Sequence, residues 1–260
     1  MLLSRTMPVP MDNRLLAALV ADEYQRLLPR LELVTLSLGE LIRESGGQQE
    51  YVYFPTTCIV SFLYTLAEGL TVEVGLTGNE GVVGVALFLG GNTSPYRAIV
   101  QIAGGAFRMR SNVLQREFSG SPAFQFLLLR YTQALITQIS QTAACNRLHS
   151  VEKRLCRWLL MCHDRVPSDE ILMTQEFISN MLGGRRESVT VAAGHLQDAG
   201  LIQYSRGHIR VLDRNGMEAF VCECYRVEKD EMDRLMGKRD KKLFTRQAVA
   251  DRRGDRREGS

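Results

Sequence analysis

The sequence predicts an α+β protein in which an antiparallel β jelly roll is followed by a long helix and then by a small winged helix-turn-helix unit. Three observations lead there. Residues 31–110 hold short runs rich in β-branched and aromatic residues, separated by Gly and Asn turn signals. Residues 123–165 contain neither Gly nor Pro, the signature of nearly continuous helix. From Thr174 on, two helical stretches flank Gly183-Gly184, and a short two-strand pattern follows them.

Residues 12–28, "DNRLLAALVADEYQRLL", place apolar residues at helical spacing after Asp12, which can cap the first turn. The runs "YVYFP", "CIVSFLYTL", "LTVEVGL" and "RAIVQIA" read as strands, with turns at "SGG", "AEGL", "TGNEG" and "GGNTSP". Strands so spaced form a sandwich or jelly roll, assigned here to residues 12–120. After Ser121-Pro122 a long helix runs to about residue 148, and a shorter one ends near Asp164. Within the long helix Leu128, Thr132, Leu135, Ile139 and Thr142 alternate spacings of four and three, a narrow seam that a second copy of the helix can cover. A homodimer through this helix is therefore expected. Phe126, Leu127 and Leu129, on other faces, are left to pack against the sheets.

Residues 149–236 form the winged unit. Thr174 is placed to cap a helix whose Phe177, Ile178 and Leu182 make a buried stripe. A second helix covers about 185–198. "LIQYSRGHIRVLD" reads as a hairpin turning at Arg206-Gly207, and "RNGMEAFVCECYRVEKDEMDRLM" reads as one final helix. Residues 237–260 hold nine Lys/Arg against four Asp/Glu, so the preceding residues carry a net charge of −2 and the overall +3 is a tail effect. Such a tail reads as a solvated extension, with accessory nucleic-acid contact as its alternative use.

Composition narrows the class. Hydrophobic residues at 45% suffice for packed cores, and no run resembles a membrane span or a secretion signal. The six cysteines, Cys58, Cys145, Cys156, Cys162, Cys222 and Cys224, are scattered through a chain too large to need disulfide staples. A cytoplasmic protein with reduced thiols and no membrane partner is expected.

The second helix of the winged unit carries the chemistry. At about 100° per residue, Arg186, Glu187, Thr190, Val191 and Gly194 share one face, while Val189, Ala193 and Leu196 share the other. An arginine can pair bidentately with guanine, and a carboxylate can accept from the amino group of cytosine. Thr174, Gln175, Arg185, Ser188 and Arg206 fall at helix starts and on the wing, from which phosphates are contacted. The expected partner is double-stranded DNA.

The stretch "MTQEFISNMLGGRRESVTVAAGHLQDAGLIQYSRGHIRVLD" resembles the DNA-binding domain of the Crp/Fnr family of bacterial transcription regulators. The resemblance extends, by order and texture, over roughly residues 12–236. It implies a sensing jelly roll, a dimerising helix and two winged helix-turn-helix domains on a palindromic site, with RNA polymerase as a further partner if the protein activates transcription. Arg186 and Glu187 match the family's base-reading Arg and Glu. Val191 stands where the best-known members have a second base-reading arginine, so the half-site should differ from theirs at one position.

The resemblance also locates an effector pocket, around Val83, Gly84, Val85, Ser94 and Arg97. Cyclic-nucleotide-binding members carry a Gly-Glu pair for the ribose and an Arg-Ser/Thr pair for the phosphate. Here Gly84 is followed by Val85, and Ser94 is preceded by Thr93. Arg97 reads as a strand-surface residue and Glu80 as a turn residue. No cyclic nucleotide is expected, the pocket being vestigial or suited to another small molecule, and no cofactor is assigned.

The iron–sulfur branch of the family uses cysteines near the N-terminus, whereas the first here is Cys58. Cys222 and Cys224 are two apart on the predicted final helix, so they point about 200° apart and are not expected to clamp one metal. His149, His163, His195 and His208 read as structural rather than as haem ligands. A cupin-type enzyme is the rival from another class, but it needs histidines inside the sheets, and all four lie at or beyond residue 149. A winged module for protein contacts would not require Arg186 and Glu187. The chain is read as a regulator and not as an enzyme.

Overall fold

The computed structural model describes residues 7–205 and 207–237. The basic tail from residue 238 on and Arg206 lie outside the described residues. A 3-10 turn at Pro10–Asp12 and two short helices, α1 (Arg14–Ala17) and α2 (Ala21–Leu27), stand where one helix was expected. The cap of α1 is Asn13, not Asp12. Its Oδ1 accepts from the amides of Leu15 and Leu16 at 3.1 Å, and its Nδ2 donates to the carbonyls of Pro55 and Gly81 at 2.8 Å. Asp12 instead closes the preceding turn by accepting from the Val9 amide at 2.8 Å.

Among the described residues seven strands form the jelly roll: β1 (Glu32–Leu36), β2 (Leu41–Arg43), β3 (Tyr51–Pro55), β4 (Ile59–Thr65), β5 (Thr71–Thr77), β6 (Arg97–Ile102) and β7 (Gly104–Arg110). They pair antiparallel in two sheets, of order β1-β7-β3 and β2-β6-β4-β5. Val52, Phe54, Val60, Phe62, Phe107 and Met109 fill one buried cluster between them. Strand β4 is buried without alternation from Ile59 to Leu63. Val60 and Phe62 enter the jelly-roll core, while Ile59 and Leu63 belong to the core of the C-terminal half, so both faces of the strand are covered.

Helix α3 (Ser111–Gly120) leads to α4 (Pro122–Leu148), whose first turn is fixed by Pro122 and by Ser121, the hydroxyl of which accepts from the Phe124 amide. Tyr131 of α4 is fully buried, and its hydroxyl lies 2.6 Å from that of Thr77. Gly81 makes this approach possible, since a Cβ there would come within 2.0 Å of the Tyr131 ring.

The chain continues through α5 (Val151–His163), β8 (Glu170–Leu172), α6 (Gln175–Leu182), α7 (Arg186–Asp198), β9 (Ile202–Ser205), β10 (His208–Val211), α8 (Arg214–Phe220) and α9 (Glu223–Met236). The wing has three strands rather than two, in the order β8-β10-β9. The final helix expected over 214–236 is two helices. Val221 and Cys222 are extended, with ψ near 161°, and the chain bends there so that α9 runs back along α4.

That return changes which face of α4 is free. Arg130 donates to the Arg234 carbonyl at 3.1 Å, Gln133 to Glu231 at 3.3 Å and Gln138 to Glu228 at 3.1 Å, an antiparallel register. Leu128 and Leu135 share a buried cluster with Met232 and Leu235, and Thr132 is buried beside them. Of the seam expected for a partner copy, Leu128, Thr132 and Leu135 are thus buried within the chain, whereas Ile139 is 37% exposed. Phe126 and Leu129, expected to meet the sheets, are 63% and 43% exposed, and only Leu127 packs on the core. Phe126, Leu129, Gln133, Ile136 and Ser140 also alternate spacings of three and four, and this is the open stripe.

Candidate nucleic-acid interface

Thr174 caps α6, its hydroxyl accepting from the Phe177 amide at 3.2 Å. Ile178, Met181 and Leu182 turn inward. Gly183 ends the helix in the left-handed region, at φ 59°, which a residue without a Cβ adopts freely. Helix α7 then begins with Arg185 as its N-cap residue and Arg186 as its first helical residue.

Val189, Ala192, Ala193 and Leu196 of α7 are buried against α5, α6 and the wing, whereas Arg185, Arg186, Glu187, Ser188, Thr190 and Val191 are exposed. The face of Gly194 is open, with nothing within 4 Å of where its Cβ would stand. Thr190 lies 3.1 Å from Gln175 Oε1, so the first helix of the motif braces the second. Gln197 accepts from the Tyr204 amide at 2.9 Å and ties α7 to the wing. The hairpin turns at Gly207, with φ 84°, and Arg206 is outside the described residues.

Arg154, which sequence reasoning missed, donates to the Leu182 carbonyl at the end of α6 and to Asn146 Oδ1 at 3.0 Å. A cation at a helix C-terminus offsets the carbonyl dipoles there. Its position on α5 gave no signal, because the pairing crosses 28 residues of chain.

The residues expected around an effector pocket lie in and beside the jelly roll. Val83, Val85 and Ser94 are buried, and Val83 pairs with Tyr53. Gly84 has φ 127°, and a Cβ on it would meet Gln49 at 2.6 Å and Val52 at 2.9 Å. Gln49 in turn accepts from buried Arg43 at 2.9 Å, and the Arg43 guanidinium stacks on Tyr96. Arg97 pairs with Glu44 at 3.0 Å on the strand surface. Glu80 is not simply a turn residue. It is buried and pairs with Arg165 at 2.9 Å.

All four histidines lie beside carboxylates: His163 with Asp169 at 2.8 Å, His195 with Glu152 at 3.2 Å, His208 with Glu170 at 2.6 Å and His149 with Glu223 at 3.5 Å. His149 also sits among cysteines. Because Cys222 precedes α9 instead of lying within it, Cys222 and Cys224 do not diverge. Both sulfurs approach Cys145 and His149.

Residues 153–220 match the family of Crp-like helix-turn-helix domains. No curated protein sequence matches the chain. Among solved structures, FixK2 from Bradyrhizobium japonicum is similar at 17% identity and a TM-score of 0.64, covering 74% of this chain and 98% of its own. The c-di-GMP-responsive global regulator CLP of Xanthomonas campestris is similar at 15% identity and a TM-score of 0.58, covering 75% of this chain and 100% of its own. A CRP-family transcriptional regulator from Thermus thermophilus gives 18% identity and a TM-score of 0.59, over 72% of this chain and 95% of its own. Residues 153–220 thus form a Crp-like helix-turn-helix domain, and the fold in which that domain is set is similar to those of these solved regulators.

Proposed function

We propose that the protein acts in the cytoplasm as a homodimer on a palindromic DNA site, reading bases with Arg186, Glu187, Thr190 and Val191. Thr174, Gln175, Arg185, Ser188 and Arg206 contact phosphates in this reading. The observation that carries it is the division of α7, whose small apolar face is buried while its Arg-Glu turn and Val191 are exposed together. A first turn so charged, on a helix held at both ends by α6 and the wing, suits a major groove. The open stripe of Phe126, Leu129 and Ile136 on α4 supports the dimer, because an apolar heptad-like seam is stable only when covered. Among the described residues no helix is long and apolar enough to cross a membrane.

Two recognition helices related by a two-fold axis reach successive major grooves roughly 34 Å apart. Selection of bound duplexes from a random pool by the full-length protein tests the reading. The expected result is one palindrome with half-sites about one helical turn apart. Retention of all sequences alike, at every salt concentration, overturns it.

A further inference from the structure

We propose that Cys145, His149, Cys222 and Cys224 form a tetrahedral site for a single zinc ion, which clips the end of α4 to the start of α9. The four ligand atoms all lie within 4.8 Å of one another. Cys145 Sγ is 3.6 Å from Cys222 Sγ, and Cys224 Sγ is 3.7 Å from His149 Nδ1. Zinc bonds of about 2.3 Å to sulfur and about 2.0–2.1 Å to nitrogen give a regular tetrahedron with edges of roughly 3.5–3.8 Å. Both separations fit those edges, and the others stay within 4.8 Å.

The backbone delivers the ligands as two local pairs. Cys145 and His149 are one turn apart at the end of α4, with His149 as its C-cap residue. Cys222 and Cys224 straddle the entry to α9, where Cys222 is the extended N-cap residue. The 14-residue α9 places the positive end of its dipole beside that sulfur, which favours a thiolate ligand. The three sulfurs are buried, and the imidazole is the partly open member.

The far side of the imidazole carries a second observation. His149 Nε2 lies 3.5 Å from a carboxylate oxygen of Glu223. A histidine that coordinates through one nitrogen commonly gives its other N–H to a carboxylate, which fixes the tautomer and orients the ring. Here Nδ1 faces the sulfurs and Nε2 faces the carboxylate.

The donor set selects the metal. Three thiolates and one imidazole, with no carboxylate among the ligands, make a closed set typical of structural zinc. An iron–sulfur cluster spreads its cysteines over several irons, and ligands this close together suit one ion instead. With four protein ligands no position is left for a substrate, so the site governs conformation and not catalysis. Helix α9 brings Glu228 to Arg157 at 2.8 Å and to Arg165 at 3.4 Å, so fixing its first turn also fixes the joint between the winged unit and the sheets.

The experiment uses full-length protein purified under reducing conditions, stripped with a chelator and titrated with cobalt(II) and then zinc(II). Expected are one zinc per chain in the protein as isolated, the intense visible absorption of tetrahedral cobalt thiolate, and its loss when zinc displaces the cobalt. Zinc should raise the thermal midpoint of the stripped protein in a saturable way. Cys222→Ser should lose cobalt absorption, His149→Cys should keep it with a shifted band, and Cys58→Ala should match the wild type. If Cys222→Ser fails to fold, the wild-type titration decides alone. Failure of the stripped wild type to take up stoichiometric metal overturns the proposal. So does equal uptake by Cys222→Ser, iron with acid-labile sulfide in the isolated protein, or a Cys145–Cys222 disulfide under reducing conditions.

Discussion

Arg165 donates from Nε to Glu80 Oε1 at 2.9 Å, joining the segment after α5 to the loop after β5 with both side chains buried. Arg165 also donates to the Met161 carbonyl at 2.8 Å and reaches Glu228 of α9 at 3.4 Å, while Arg157 holds the same Glu228 at 2.8 Å. Two cations and two anions thus close a buried network in which jelly roll, α5 and α9 meet. The amide of Gly78 steadies Glu80 further, at 3.1 Å.

Removing one member leaves a buried charge without its partner. Arg165→Ala should therefore destabilise the fold by about 3–5 kcal/mol, more than an exposed pair such as Arg108–Glu32 would cost on Arg108→Ala. Urea unfolding of the two variants at neutral pH checks this. Equal midpoints for both would show that the buried network adds nothing.

Glu73 sets a pH dependence of a particular sign. It is buried, Oε1 accepts from Trp158 Nε1 at 3.0 Å, and Oε2 has no hydrogen-bond partner among the described residues. Burial, partly offset by hydrogen bonds and by Arg157 and Arg165, raises its pKa from 4.5 to about 7. With the folded value above the unfolded one, the protonated form favours folding. That contribution is full below about pH 4.5 and disappears as pH rises through about 7. Glu73→Gln should remove the decline and stabilise the protein at pH 8 by on the order of 2–4 kcal/mol. Unfolding midpoints at pH 5.5 and 8 test it, since a wild type that gains stability over that range more steeply than Glu73→Gln contradicts the assignment.

Helix α7 was legible because its pattern is local: the Arg186 turn and the inward Leu196 belong to one short helix, and the buried side followed from periodicity alone. The free face of α4 was not. Leu128–Thr132–Leu135 and Phe126–Leu129–Gln133–Ile136 both alternate threes and fours, and only packing against distant parts of the chain decides which is covered. Cys222 and Cys224 escape sequence reasoning for a related reason. Nothing between Arg214 and Met236 except Gly216 breaks a helical pattern, yet the packing of Tyr225, Glu228, Met232 and Leu235 on the rest of the fold requires a bend at Val221. Glu80 reads as a turn residue by its neighbours, and its partner is 85 residues away.

The open stripe on α4 predicts where a dimer should be breakable. Ile136 is 59% exposed, so Ile136→Glu should fold with little loss of stability in the protomer and should weaken self-association strongly. Leu128→Glu, in the covered seam, should instead compromise folding. Sedimentation of Ile136→Glu beside the wild type reads the first effect. A dimer unchanged by the glutamate would move the interface elsewhere.

Arg186 and Val191 predict the pattern of DNA selectivity. Arg186 is exposed in the first turn of α7, where a guanidinium can reach base edges, so Arg186→Ala should cost about 1–3 kcal/mol on the selected site and relax one base position. Val191 lies five residues later and is 54% exposed, with a branched apolar side chain able to meet a thymine methyl but unable to hydrogen-bond a base. Val191→Arg should shift preference at one half-site position toward guanine, by roughly the 1–3 kcal/mol of a bidentate pair, and leave the position read by Arg186 unchanged. Competition binding with duplexes varied at single symmetric positions separates the two effects. Loss of affinity spread evenly over every duplex would mark both side chains as phosphate contacts and not as base readers.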